Sequence, residues 1–159
     1  MRKSFIVIVF AMFISGCVST NPSIAWNDKL IKQKAPVRML EDKSFDKKDT
    51  TRYIEDWAGI KGKSAINEQY KSIVFSKIEK KCGFNKENFR EAYIVQHVQN
   101  NIGIIIEEVW LFNDQKSFRK DKISGLTIYV EYNKKSNLTF GDIFGDCHTS
   151  RATSFTFVD

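Results

Sequence analysis

Two histidines are the side chains best suited to acid–base chemistry in this sequence of 159 residues. His97 occupies an alternating apolar stretch that predicts a strand, where it would share one face with Tyr93 and Val95. The favoured interpretation of His97 is therefore a half-buried structural histidine. His148 directly follows Cys147. Catalysis by either histidine would require a carboxylate within hydrogen-bond reach in an open pocket.

The acidic residues offer two further pairs. Glu107 and Glu108 are neighbours in a predicted strand, so their side chains should point to opposite faces of a sheet and should not act together. Asp142 and Asp146 lie in the segment GDIFGD, which lacks the acidic density of a calcium loop and favours turn formation over cation binding. The motifs GxSxG, GxGxxG and HExxH and the P-loop are absent from the sequence. The sequence predicts no catalytic residue and no cofactor.

The first seventeen residues carry a targeting signal. Arg2 and Lys3 precede ten apolar residues, 5–14, which are too few to cross a hydrocarbon core of about 30 Å. This order of basic, apolar and small residues predicts a secretory signal peptide, residues 1–16. The ending ISGC resembles the lipobox of bacterial lipoproteins, in which the cysteine, here Cys17, becomes the acylated first residue of the mature chain. A plain signal peptide cut elsewhere is the alternative.

The resemblance implies a permanent membrane anchor, because two or more acyl chains hold a protein stably on a bilayer. Val18 stands where the inner-membrane retention signal of enteric bacteria would be Asp. The resemblance therefore implies the outer membrane, most simply its periplasmic face. Removing residues 1–16 also takes away Arg2 and Lys3, which lowers the net charge from +6 to +4.

Two cysteines remain beyond the anchor, Cys82 and Cys147. Because the periplasm is oxidising, we predict a disulfide between them. It would close a loop of about 65 residues and stabilise the fold by about 4 kcal/mol in the chain-entropy model. A metal site with His148 is the alternative, but adjacent ligands converge poorly on one ion and no CxxC or HxxxH spacing exists. We expect no metal.

The elements that must position these residues are predicted to form one α+β domain, residues 49–159, behind a flexible tether, residues 17–48. The tether is polar and rich in lysine, contains both prolines and shows no sustained period. Residues 49–58 predict a short helix. Residues 64–81 predict the main amphipathic helix, which should end at Gly83.

Ser64 is the expected cap of the main helix, and Phe75 lies opposite its apolar stripe. Phe75 should therefore pack on the N-terminal arm or mark a contact surface. Beyond the helix the pattern favours four strands, at 93–99, 102–112, 125–132 and 152–158. Asn100 and Asn101 suit a hairpin turn between the first two, and residues 113–122 and 133–146 are predicted loops. We expect a four-stranded antiparallel sheet with the helix on one face.

Function is predicted as binding. Nucleic acid is an unlikely partner class, because the lysines are dispersed and the aromatic residues follow the core periodicity. The leading hypothesis is a lipid-tethered module that captures a periplasmic protein, as an immunity protein or inhibitor or as an accessory subunit of an envelope machine. The candidate partner contacts are aromatic and basic residues of the two predicted loops: Phe118, Arg119, Lys120, Phe140 and Phe144. The alternative is a small envelope hydrolase that uses His97 or His148 with a nearby acid.

Overall fold

Helices and strands follow one another in a computed structural model that describes residues 22–44, 51–148 and 154–158. The elements are α1 (Pro22–Lys32), β1 (Val37–Glu41), β2 (Tyr53–Trp57), β3 (Ile60–Gly62), α2 (Glu68–Cys82), β4 (Phe89–Gln99), β5 (Gly103–Asn113), β6 (Ile123–Asn133), β7 (Leu138–Phe144) and β8 (Ser154–Val158). The predicted signal peptide and Cys17 lie outside the described residues. No helix of the described ranges has the length and apolar character needed to cross a membrane.

The strands form two antiparallel sheets. β1 pairs with β2, and the other six strands form one sheet in the order β3-β4-β5-β6-β7-β8. The predicted α+β class is confirmed, but the predicted four-stranded sheet is wrong, because β3 and β7 are part of the large sheet. The alternation that reveals a strand is weak in both. β3 has only three residues, and β7 contains Gly141 and Asp142, which are rare in strands.

α2 is the predicted main helix, with a different beginning. Asn67 caps it by accepting a hydrogen bond from the Tyr70 N–H at 2.9 Å. The predicted cap, Ser64, instead accepts from Ile66 N–H in the segment that leads into the helix. The predicted end is confirmed: Gly83 has φ +74°, a left-handed conformation that glycine adopts without steric cost.

Phe75 packs on the sheet and not on the N-terminal arm, and its alternative role in a contact surface stays a prediction. Its ring centroid lies 5.6 Å from that of Phe89 and 4.9 Å from that of Trp110. The sheet thus also contacts a side chain of α2 that lies outside the main apolar stripe. The core on this side includes Val74 and Ile78 of α2, both fully buried.

The large sheet has two different faces. Residues directly opposite each other in neighbouring strands share a face. The face that carries α2, here the helix face, includes Ile106, Trp110, Leu126 and Ile128, all buried. The other face, here the second face, has a smaller core around residues of β5 and β6: Val109, Leu111 and Ile123.

The N-terminal residues cover part of the second face, which corrects two predictions. The described part of the predicted tether contains α1 and β1, joined where the Asn27 side chain bonds both the N–H and the C=O of Met39. The predicted helix at 49–58 is wrong, because β2 pairs there with β1, Trp57 opposite Val37. Trp57 and Ala58 then pack on the second face. Such long-range packing overrides a short helix, which is marginal by itself.

The predicted disulfide is confirmed. Cys82, the last residue of α2, is bonded to Cys147, which follows β7, and their Cα atoms are 5.2 Å apart. The bond joins the C-terminal end of the helix to the turn that leads toward β8.

Candidate binding surfaces

The second face of the sheet carries exposed apolar side chains beyond the part that the described N-terminal segment covers. Its register places Val98, Ile105, Glu131 and Phe140 directly opposite one another across β4, β5, β6 and β7. We call these four residues the open row. Val98 is 38% exposed and Phe140 is 37% exposed, and the other two are half-buried. Leu138, two residues before Phe140 on the same face, is 56% exposed.

A second line of residues, here the polar row, crosses the sheet beside the open row. Glu107, Tyr129 and Asp142 lie directly opposite one another on β5, β6 and β7. Lys34 forms an ion pair with Glu107, and its Nζ lies 5.0 Å from the centre of the Tyr129 ring. This lysine is where the N-terminal segment ends its cover of the face. The polar row therefore marks the border between covered and open surface.

Buried polar atoms concentrate at that border. Burial raises the pKa of Tyr129 to about 12, helped by its hydrogen bond to Glu131 at 3.0 Å and by the neighbouring carboxylates. Burial lowers the pKa of Arg38, against the charge of Glu107, which acts to raise it. Among the described residues, the buried Asp142 Oδ1 atom has no hydrogen-bond partner.

The predicted partner contacts divide between two ends of the molecule. Phe140 and Phe144 belong to β7, so the predicted loop 133–146 is wrong at these positions. Phe118 is 87% exposed and Lys120 is exposed, both in the connection after β5. That connection begins after Asn113, eight residues along β5 from Ile105, a separation of about 27 Å. The set therefore does not form one continuous surface.

Arg119 is engaged within the fold. It bonds Asp121 and Glu55, and its guanidinium carbon lies 4.3 Å from the centre of the Trp57 ring. These contacts hold the β5–β6 connection against β2. Its neighbour Phe118 donates its N–H to the carbonyl of His148 at 3.2 Å.

His148 pairs with a carboxylate. Its Nδ1 lies 2.8 Å from Oδ2 of the buried Asp114, which also accepts a hydrogen bond from the Ser124 hydroxyl at 2.6 Å. Burial acts to raise the pKa of Asp114, but the bonds from Ser124, His148 and the Lys116 N–H outweigh it and lower this pKa below its ordinary value. Because Ser124 donates to Asp114 and not to the imidazole, the trio lacks the order of a nucleophile–base–acid relay.

His97 lies on the opposite face from the predicted one. Between Ile94 and Gln96 the register with β5 shifts by one residue, so Val95 is an extra residue in β4. Tyr93 and Val95 pack on the second face, whereas His97 pairs with Ile106 of the helix face. His97 is exposed, so the predicted half-buried position is wrong.

A cavity of about 390 Å³ adjoins His97 on the helix face. Its walls come from the segment before α2, the first turn of α2 and three strands, and they are largely aliphatic: Ala65, Ile66, Ile104, Ile106 and Val130, with Asn67, Tyr70, His97 and Tyr132. The sequence pattern did not reveal it, because the bulge at Val95 moves His97 to this face. The hydrolase alternative requires one histidine with both a carboxylate within hydrogen-bond reach and an open pocket. In the structure His148 has the carboxylate, whereas His97 has the cavity.

A larger cleft of about 820 Å³ lies between α2 and the beginning of β4. Phe75, Phe89 and Trp110 line its floor. Its rim carries charges of both signs, and Lys71 there pairs with Glu68. Glu108 lies behind the floor, fully buried, where it accepts hydrogen bonds from Trp110 Nε1 and Ala65 N–H. Glu107 and Glu108 thus point to opposite faces, as predicted.

Within the described ranges, no three His, Cys, Asp or Glu residues lie close enough together to hold a metal ion. The chain matches no protein-family model, no curated protein and no solved structure.

Proposed function

We propose that the protein is a lipid-anchored binding module of the bacterial envelope that captures a protein partner through the open row. The lipobox-like segment 14–17 supports the anchor. The observation that carries the binding role is the alignment of three apolar side chains, Val98 of β4, Ile105 of β5 and Phe140 of β7, in one row across the second face, with Glu131 of β6 between the last two.

Aligned apolar side chains favour a protein as the partner. A single exposed apolar residue is ordinary, but a contiguous exposed group on a rigid sheet is typical of a docking surface. The open row is flat and spans four strands, which suits a protein surface better than a small molecule. The polar row beside it supplies a polar border of the kind that surrounds the apolar centre of an interface, and Glu131 adds one carboxylate within the open row.

Two roles agree with such a module at the periplasmic face of the outer membrane. As an immunity protein or inhibitor, it would block an enzyme or toxin that reaches the periplasm. As an accessory subunit, it would hold a component of an envelope machine near the membrane. The two roles differ in whether the purified mature chain inhibits the activity of its captured partner.

The test is a photocrosslink from the open row in the bacterium that produces the protein. A benzophenone amino acid replaces Phe140, and a control variant carries it at Ser72, exposed on α2. We expect a crosslink to one envelope protein from position 140 and none from position 72. Equal labelling from both positions, or none from position 140, would contradict the proposal.

A charge in the open row provides the matched variant. Ile105→Lys places an ammonium group in the half-buried centre of the row, and Ser72→Lys adds the same charge on α2. We expect Ile105→Lys to lower recovery of the crosslinked partner by about tenfold, because an interface excludes an unpaired charge. Ser72→Lys should recover it fully. Thermal unfolding of both variants verifies that they are folded.

A further inference from the structure

The outer edge of β4 is half covered. β3 pairs with residues 92–94 of β4 and with no more of it. No described strand pairs with residues 95–99 on the side away from β5. The backbone groups that point outward there form a row of hydrogen-bonding positions at the border of a six-stranded sheet.

Gly59 explains why β3 covers the edge of β4 only as far as Ile94. Its φ is +96°, and a Cβ atom built on it would lie 2.6 Å from the carbonyl oxygen of Ile94. Only glycine allows the chain to pass so close to the β4 backbone and turn away. From there the chain leads back to the second face, where the Ala58 N–H donates to the carbonyl of Pro36. The chain thus leaves the edge open directly beside the bulge at Val95.

The open part of the edge has only one of the usual protections against strand pairing. Exposed edges are normally guarded by lysine, proline, inward-pointing charges or a β-bulge. The bulge at Val95 lies where the open part begins, and the residues beyond it, 96–99, read QHVQ and contain no lysine, proline or carboxylate. The covered part differs, because Lys61 of β3 forms an ion pair with Glu91 there.

The cavity beside His97 lies within reach of such a strand. A residue of an added strand directly opposite His97 would place its side chain on the helix face, about 5 Å from that of His97, at the mouth of the cavity. The tyrosine hydroxyls of the cavity are engaged elsewhere, Tyr70 with Thr139 and Tyr132 with Asn137. What remains toward the interior is aliphatic wall, which suits an apolar side chain.

We propose that β4 accepts an extended segment of the partner protein as an added strand along residues 95–99, with one aliphatic or aromatic side chain of that segment in the His97 cavity. This inference rests on the proposed binding function and names the form of its partner. An extended peptide satisfies both the backbone edge and the cavity, whereas a small molecule would fill the cavity and leave the edge unpaired. Val98 connects the edge to the open row, so one partner reaches both.

The test uses linear peptides of about ten residues, enough for one strand, selected from a displayed library against the full mature chain. The strongest binder is synthesised with single N-methyl groups along its backbone. Because an added strand directs every second N–H toward its neighbour, methylation of one alternate set should weaken binding by about tenfold, while the other set binds as before. Uniform effects along the peptide, or failure to select any binder, would overturn the inference.

Two isoleucines supply matched variants. Ile104 lines the cavity, whereas Ile24 is exposed on α1 and does not line it. Filling the cavity with Ile104→Phe should weaken peptide binding by about tenfold, and Ile24→Phe should leave it unchanged. Equal effects of the two variants would contradict a role for the cavity. Concentration-dependent dimerisation that competes with the peptide would assign the edge to a second copy of the chain and overturn the inference.

The failures of the two proposals can be told apart. If only the strand inference is wrong, crosslinking from position 140 persists while N-methylation shows no alternation. If only the partner proposal is wrong, peptide binding alternates while position 140 labels no envelope protein.

Discussion

Asp114 links three parts of the chain that are separate in sequence. Its carboxylate accepts hydrogen bonds from Lys116 N–H in its own turn, from Ser124 at the beginning of β6 and from His148 beside the disulfide. The His148 ring also stands edge-on to Phe84, with centroids 5.4 Å apart. This cluster holds the β5–β6 connection against the chain that follows β7.

Replacing Asp114 by Asn should destabilise the protein by about 2 kcal/mol at pH 7, because the lost bonds involve a charged acceptor in a buried place. The pKa of Asp114 is lowered in the folded state, so its contribution is present above the ordinary value near 4 and is lost as pH falls through the lower folded value. Urea unfolding at several pH values should therefore show a flatter acid dependence for Asp114→Asn.

The exposed Asp28 of α1 provides the control for that experiment. Asp28→Asn should leave the free energy of unfolding within about 0.5 kcal/mol of the parent at every pH. If Asp114→Asn behaves in the same way, the cluster does not stabilise the fold as described.

The sequence pattern assigned His97 to the wrong face of the sheet because β4 contains one extra residue. Alternation assigns faces correctly only while the strand has no extra residue, and the bulge at Val95 reverses every face after it. No residue type around Val95 indicates a bulge. The cavity and the open row both depend on this reversal, because it turns His97 toward the helix face and Val98 toward the second face.

Elements with a strong period were predictable, and those held by distant partners were not. α2, β5 and β6 carry long apolar patterns that agree with their burial. β2 is short and gains its stability from pairing with β1 and from Trp57 on the second face. The open row therefore depends on pairings that local pattern does not contain, and only Phe140 of its residues was among the expected contacts.

Gly125 of β6 permits the close packing of β2 on the sheet. A Cβ atom there would lie 2.5 Å from a ring carbon of Trp57. Gly125→Ala should push the ring away and destabilise the protein by about 1–3 kcal/mol, the usual cost of overpacking. Chemical unfolding gives the free energy, and a change in tryptophan fluorescence would report the displaced ring.

Gly62 of β3 is the matched control, because a Cβ atom there makes only ordinary contacts, with Ile94 Cγ1 at 3.4 Å and the Ile60 carbonyl oxygen at 3.8 Å. Gly62→Ala should change the free energy of unfolding by less than about 1 kcal/mol. Equal losses for the two alanine variants would show that Trp57 does not constrain Gly125.

At the scale of the whole molecule, the disulfide was the long-range contact most open to prediction. Only two cysteines follow the lipobox, and an oxidising compartment leaves them one partner each. A count of cysteines could not predict that residues before β3 cover part of the second face. That segment is polar and has no clear period, and its position depends on individual contacts such as Lys34 with Glu107.

The proposed lipid anchor predicts a simple labelling result. Cells given radioactive palmitate should label the protein, and Cys17→Ala should abolish the label, because the acylated sulfur is removed. Ser19→Ala, two residues further on, should be labelled like the parent chain. Undiminished label in Cys17→Ala would refute the lipoprotein assignment.

The bond between Cys82 and Cys147 has a mechanical consequence under the proposed anchoring of the chain at its N-terminus. Tension along the chain passes at Cys82 directly through the sulfur atoms to Cys147, so residues 83–146 form a covalent ring outside the path of the force. The ring contains β4, β5, β6 and β7, the four strands that carry the open row. A pull between the two termini can therefore lengthen the N-terminal segment and α2, while those four strands are bypassed by the load until the bond is reduced.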